Sequence, residues 1–343
     1  MVNSDYPSLP YLSAHLPGTG GGIRQETQDF TVEEIPLYLP SGEGDHLYCW
    51  IEKRELTTRA ALEIVAAGTG CPVESIGVAG LKDKFAVSRQ WISLPLRYGD
   101  RLAPGELAPG LFLLETGVHS NKLGVGHLLG NRFGIRVREA PDTAGQAAAI
   151  LGYLAPVGVP NYFGPQRFGL QGQNPAKGYQ LLATGQGRGK PWLKRFLIGS
   201  VQSLFFNAWI AERMGQGLFV NLMAGDVAKK HATGGIFTVE DPASENPRAQ
   251  AFEISATGPL FGRKYYRSQG PARDLEEKVL AQMGLTPEQF SARHGARRFI
   301  RFPLGEVGLE ATPDGYRLDF SLPKGSYATS LLREVMKNIP DHQ

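Results

Sequence analysis

The period of the hydrophobic pattern changes twice along this chain, and that limits its fold more than any single motif. Toward both ends apolar residues recur at every second position, as in strands, whereas in the middle they recur at three and four, as in helices. Residues 29–38, 46–55, 75–80, 85–94, 111–118 and 131–138 carry the first pattern. Residues 174–184, 191–213 and 271–284 carry the second. In the longest of these, Leu193, Phe196, Leu197, Val201, Leu204, Phe205, Ala208 and Trp209 form a wide apolar stripe that predicts core. Residues 235–262 read as β and loop. Strands return at 298–302 and 316–322, with a turn at Pro313-Asp314-Gly315, and 329–337 should close the chain as a helix. Thr57 or Thr58 is placed to cap a helix that Gly68 would stop. Residues 1–22 predict an irregular lead-in, and no internal repeat is visible. The expectation is an α+β protein of 343 residues, long enough for two domains. A discontinuous mixed-sheet domain, 1–157 and 302–343, would be interrupted by an inserted α/β domain, 158–301.

Composition excludes several classes. Hydrophobic residues at 42% and charged residues at 20% suit a globular chain and argue against disorder. The 36 basic and 33 acidic side chains leave a formal charge of +3, so any polyanion must be bound by local patches. Two cysteines, Cys49 and Cys71, supply neither a disulfide framework nor a zinc site. No apolar run approaches 18 residues and the N-terminus does not read as a signal peptide, so the expected setting is cytoplasmic, away from membranes. There is no GxxxxGK[ST], no HExxH and no CxxC. The GTGGG run at 18–22 lacks the strand–helix context of a nucleotide site. Nothing implies a metal, an organic cofactor or a protein partner.

Three short stretches concentrate reactive or recognition chemistry. In GLKDK (80–84) one carboxylate, Asp83, sits in a turn between two strands and is flanked by Lys82 and Lys84. Flanking ammonium groups favour the ionised form, and Arg89 would add to this if the strands fold it back. An ionised acid fixed in a loop can serve as nucleophile or general base, while the plainer reading is a turn aspartate with solvated lysines. NYFGPQRFG (161–169) is either an aromatic plug with Arg167 paired to an acid, or a surface on which bases stack. SLPKGSYATSLLR (321–333) places Tyr327 before a helix capped by Ser326 or Thr329, where it is either a core aromatic or part of a binding surface. In 131–138, Asn131, Phe133, Ile135 and Val137 share one strand face and Arg132, Arg136 and Arg138 the other. The basic face would meet either a polyanion or plain solvent. Three further basic clusters (Arg188 to Arg195; Arg293 to Arg301; Arg263, Lys264 and Arg267 around two tyrosines) fit a folded RNA, although each alone fits solvated surface.

Taken together the chain resembles the TruD family of pseudouridine synthases, which act on tRNA. The resemblance is carried by TQDFTVEE (27–34), VAGLKDKFAVSRQW (78–91), NKL and GNRF (121–133), VPNYFGPQRFG (159–169) and LPKGSYATSLLRE (322–334), in the family's order over nearly the whole chain. It implies a mixed-sheet catalytic domain with an inserted TRUD domain and assigns the nucleophile to Asp83. By the same resemblance Phe30, Asn131 and Phe133 bind the target uridine, and Tyr327 stacks on its base. Arg24, where the family carries a Lys, would support the aspartate together with Lys82 and Arg89. The chain departs from the family at Tyr327, where others often have Phe, and at Ser88, where others often have Thr.

The implied reaction isomerises a uridine of tRNA, by resemblance uridine 13. The N1–C1′ bond breaks, the uracil turns while held, and a C5–C1′ bond forms, with no redox change and so no cofactor. Attack at C1′, addition at C6 and formation of a glycal all remain open. A stem uridine must first be flipped out of its helix. The rival class is a non-catalytic tRNA-binding or tRNA-folding protein. A further rival is an N-glycosidase with Glu33 or Glu34 as its acid.

Overall fold

A computed structural model describes residues 8–169, 172–185 and 190–338. The chain divides into two compact units, one of residues 19–148 and 304–326, the other of 8–18, 149–303 and 327–338.

The first unit is a nine-stranded mixed sheet flanked by one helix. Its strands are β1 (Phe30–Pro36), β2 (His46–Arg54), β3 (Gly77–Val78), β4 (Val87–Pro95), β5 (Gly105–Ala108), β6 (Leu111–His119), β7 (Leu128–Arg138), β14 (Gly305–Thr312) and β15 (Gly315–Pro323). They run in the order β14-β15-β7-β1-β4-β2-β6-β5, and β3 pairs with β4. β1 and β4 are parallel, with Val32 opposite Ser88, and the other ladders are antiparallel. β7 shows the anticipated alternation. Phe133, Ile135 and Val137 are buried, and Arg132, Arg136 and Arg138 lie on the other face. That second face is not a free basic surface. Arg132 pairs with Glu306 at 3.0 Å, Arg136 with Asp314 at 2.8 Å and Arg138 with Asp29 at 2.8 Å. Helix α1 (Thr58–Thr69) is capped by Thr57, whose hydroxyl accepts the Ala60 N–H at 3.1 Å. It ends at Gly70, in the left-handed region at φ 76°, two residues beyond the glycine read as its stop. Its Ala61, Leu62 and Val65 pack with Ile51, Ile92 and Leu113 of the sheet.

The second unit is built around helices. α2 (Ala144–Val157) enters it, and α3 (Gln173–Thr184), α4 (Pro191–Gly215), α5 (Pro242–Gln250), α6 (Gly270–Gln282) and α7 (Ala328–Met336) follow. A four-stranded sheet runs β10 (Ile236–Thr238), β9 (Val227–Lys230), β11 (Ile254–Leu260), β12 (Ala296–Phe299), and β13 (Arg301–Phe302) pairs with β8 (Val159–Pro160). The α4 stripe packs as core through Val201, Leu204, Phe205 and Trp209, together with Phe163, Phe261 and Phe290. The run 298–302 is two short strands in different sheets. The Pro313-Asp314 turn joins β14 to β15 and not 298–302 to β15. No described helix is long and apolar enough to cross a membrane.

Candidate active site

Asp83 lies in the loop between β3 and β4, and the backbone of that loop is held from four sides. Gln90 of β4 donates to the Gly80 carbonyl at 3.1 Å. The hydroxyl of Thr58, at the start of α1, accepts the Lys82 N–H at 2.8 Å. Lys82 turns inward, and its ammonium meets Glu34 of β1 at 3.1 Å with both side chains buried. Lys53 of β2, itself fully buried, donates to the Asp83 carbonyl at 2.6 Å and to the Leu56 carbonyl at 2.7 Å. From the loop so fixed, Leu81, Asp83 and Lys84 face outward. The Asp83 side chain is 54% exposed, and its Oδ2 takes a hydrogen bond from Arg24 at 3.2 Å.

The cation at Asp83 is therefore Arg24. Lys82 is spent on Glu34, and Arg89 is bound to Glu52 at 2.8 Å and Glu33 at 3.3 Å. Lys84 lies over Phe85. Arg24 adopts φ 62°, an uncommon backbone conformation for a non-glycine residue, and its guanidinium lies 4.3 Å from the centre of the Phe30 ring. Phe30 opens β1, is buried and meets Phe133 edge to face at 6.3 Å, while Phe133 stacks on Phe320 at 5.2 Å. Asn131, in β7, sits opposite Glu34 in the ladder, and its Oδ1 is buried with no hydrogen-bond partner. Such an acceptor is costly to leave unpaired unless a ligand completes it. Asp83, Arg24, Phe30, Phe133 and Asn131 thus belong to one small region of the sheet unit.

Sequence reasoning missed the supports of this loop: Lys53, Thr58, Gln90 and Glu34. Lys53 carried a faint signal, a lysine inside the otherwise apolar alternation of β2. Burial lowers its pKa to about 8, with the charge of Asp83 opposing that fall and Lys82 adding to it. Burial likewise raises the Glu34 carboxyl, against the pull of Lys82.

Tyr327 belongs to the other unit. It stands at the N-cap position of α7, is 41% exposed and so is not a core aromatic, and caps nothing with its side chain. Its ring is 6.4 Å from Phe163, and the Arg298 guanidinium lies 5.6 Å from it and 4.2 Å from Phe163. Arg167 of NYFGPQRFG meets no acid. Its Nε bonds the Ser203 hydroxyl at 3.1 Å, and its guanidinium lies over Phe163 and Phe196. The basic run 293–301 is mostly structural. Arg297 pairs with buried Glu276 at 2.9 Å, Arg298 bonds the Asn161 carbonyl at 3.2 Å, and Arg301 is buried against backbone carbonyls. Arg263, Lys264 and Arg267 are exposed, and Arg188 lies outside the described residues.

The model of the family described as tRNA pseudouridine synthase D matches residues 8–184 and 189–335. A protein of Thermus thermophilus named tRNA pseudouridine synthase D is 58% identical over 328 residues, covering 96% of this chain and 92% of the relative. One of the same name from Anaeromyxobacter dehalogenans is 45% identical, covering 96% of each. Among solved structures, a putative tRNA pseudouridine synthase D of Methanosarcina mazei shares the fold, with a TM-score of 0.74 at 23% identity and 97% coverage of both chains.

Proposed function

Because the chain belongs to the tRNA pseudouridine synthase D family of isomerases, we propose that it converts uridine 13 of tRNA to pseudouridine, with Asp83 as the nucleophile. The observation that carries this reading is the contrast at residues 80–83. Every strong tie of the loop goes to its backbone or to Lys82, and the carboxylate is the one polar side chain of 80–83 left exposed to face a ligand, steered by Arg24. A nucleophile gains most when it is held in place before the substrate arrives.

In this reading a uridine leaves its stem and enters over Phe30 and Phe133. The orphan Oδ1 of Asn131 suits the imide N3–H of uracil, which would satisfy it. Asp83 then acts at C1′ or C6 of the nucleoside, or takes a sugar proton. The N1–C1′ bond breaks, C5 bonds to C1′, C5 loses its proton and N1 gains one, so the change is neutral in mass and in oxidation state. Tyr327 stacks on the target base.

Asp83→Asn decides the central point, since it removes charge and keeps shape. Pseudouridine formation in a single-turnover assay, read by carbodiimide labelling of tRNA, should fall below detection while tRNA binding stays within about threefold, less than 1 kcal/mol. An active variant would remove Asp83 from the nucleophile role. If the unaltered chain makes no pseudouridine, the tRNA-binding or tRNA-folding alternative stands instead, and release of free uracil would mark a glycosidase.

A further inference from the structure

Thirteen of the described arginines make ion pairs with carboxylates, and Arg298 and Arg301 bond backbone carbonyls; several in the helical unit do neither. Arg167, Arg195 and Arg293 have no carboxylate partner among the described residues. Arg293 lies within electrostatic reach of both Arg167 and Arg195, and Arg298 within reach of Arg167. The Nε of Arg293 is buried without a hydrogen-bond partner. Like charges gathered without a counter-charge destabilise a fold. Here burial first, and then Arg167 and Arg195, hold the Arg293 guanidinium below its ordinary range. Such an arrangement is what an anion completes.

The surroundings say which anion. Arg195, Phe196 and Gly199 follow one another along a face of α4, where residues three and four apart are neighbours. A Cβ at Gly199 would come within 2.5 Å of an Arg167 Nη, so the glycine lets that guanidinium lie flat against the helix. Arg167 also lies 5.4 Å from the Phe196 ring and 5.8 Å from Phe163. One turn earlier, Trp192 is 59% exposed, three residues from Arg195. Several forked cations beside an exposed aromatic suit a chain that offers phosphates and flat bases in turn.

We propose that Arg167, Arg195 and Arg293 grip successive phosphodiesters of an unpaired stretch of RNA, with Trp192 stacking on one of its bases. The identity of the anion as RNA rests on the function proposed above. The site adds something to it: a hold on the strand in the helical unit, by residues that do no chemistry.

The test is the salt dependence of tRNA binding by the full chain. Each phosphate contact to single-stranded nucleic acid contributes about 0.7 to the slope of log K against log salt. Arg195→Gln and Arg293→Gln should each lower the slope by about that much, and the double variant by about twice as much. Arg195→Lys should keep the slope, since it keeps the charge. Trp192→Ala should weaken binding about 5- to 150-fold with the slope unchanged, as loss of one stacked base predicts. Unchanged slopes and affinities in both glutamine variants would overturn the proposal. Arg195 is exposed, so its variants test the site even if Arg293→Gln unfolds. Pseudouridine formation by the unaltered chain is measured separately. A chain that forms pseudouridine but keeps its slopes loses only this site, whereas a chain that forms none but loses slope keeps the site and loses the function.

Discussion

Tyr327 shows how one side chain can be read from its neighbours. Its hydroxyl makes no hydrogen bond among the described residues, while its ring lies beside Phe163 and under the reach of Arg298. Burial pushes the Arg298 guanidinium down to about 10, with Tyr327 opposing that fall and Arg167 adding to it. In the proposed reading the site would therefore use the ring and not the oxygen. Tyr327→Phe should leave the rate of pseudouridine formation within about threefold, and Tyr327→Ala should cost about 5- to 150-fold, the range for one lost base–aromatic stack. Rates measured at subsaturating tRNA check this. Equal losses in the two variants would show that the hydroxyl acts. Asp83 and Tyr327 were legible as candidates because their motifs are short and local. The partner of Asp83 was not. Lys82 and Lys84 stand beside it in sequence, but adjacent residues on an extended loop point apart, and the cation that reaches it comes from residue 24.

At the scale of elements, strands with alternating apolar residues were legible, β7 above all, where Phe133, Ile135 and Val137 are buried and Arg132, Arg136 and Arg138 are not. α2 and α5 were not anticipated. The first buries Ala147, Ile150, Leu151 and Leu154, but alanines and glycines on its exposed side blur the contrast that marks a stripe. The second holds two prolines and scarcely any apolar residue, and exists because Asp241 caps it and Pro242 starts it. The ties on the Asp83 loop were hidden for another reason: they converge from β1, β2, β4 and α1, and no local window contains them. Lys53 is the tie with a measurable signature. Its pKa stands at about 8 in the fold against the ordinary 10.5, so between those values the unfolded chain binds more protons than the folded one. Stability must then rise with pH across that window, by roughly 3 kcal/mol if nothing else titrates there. Urea midpoints for the wild type minus those for Lys53→Met, taken from pH 7 to 11, isolate this slope; a flat difference would mean that the amine is not held as described. The same variant leaves the Asp83 and Leu56 carbonyls without their donor and loosens the loop. It should slow pseudouridine formation on the order of 10- to 100-fold, as small displacements of a reacting group do.

Over the whole molecule, the hydrophobic periods indicated an α+β chain with β-rich ends and a helical middle, and the fold has that form. They did not indicate that the two chain ends pair with each other inside the helical unit. Leu9 and Leu12 pack against the core of that unit. Glu334 of α7 is buried and accepts the Leu12 N–H at 2.9 Å, the Ser13 N–H at 3.0 Å and the Ser13 hydroxyl at 2.6 Å. Lys337 donates to the same hydroxyl at 2.9 Å, and Arg333 lies 3.9 Å from the Tyr11 ring. Contacts across more than 300 residues leave no trace in a local pattern, because the N-terminal segment reads as irregular and takes its shape from the helix it meets. Glu334→Ala would strip the acceptor from three donors in a buried place, at a cost of about 3–5 kcal/mol by the measure of broken buried charge contacts. Glu334→Gln keeps one acceptor oxygen and should cost less, about 1–3 kcal/mol. Urea unfolding followed by circular dichroism gives both numbers. Limited proteolysis adds a second reading: in the alanine variant cleavage should begin within residues 8–18, where the released backbone becomes accessible. If both variants keep the wild-type midpoint and resist cleavage there, the carboxylate is not what holds the N-terminal segment.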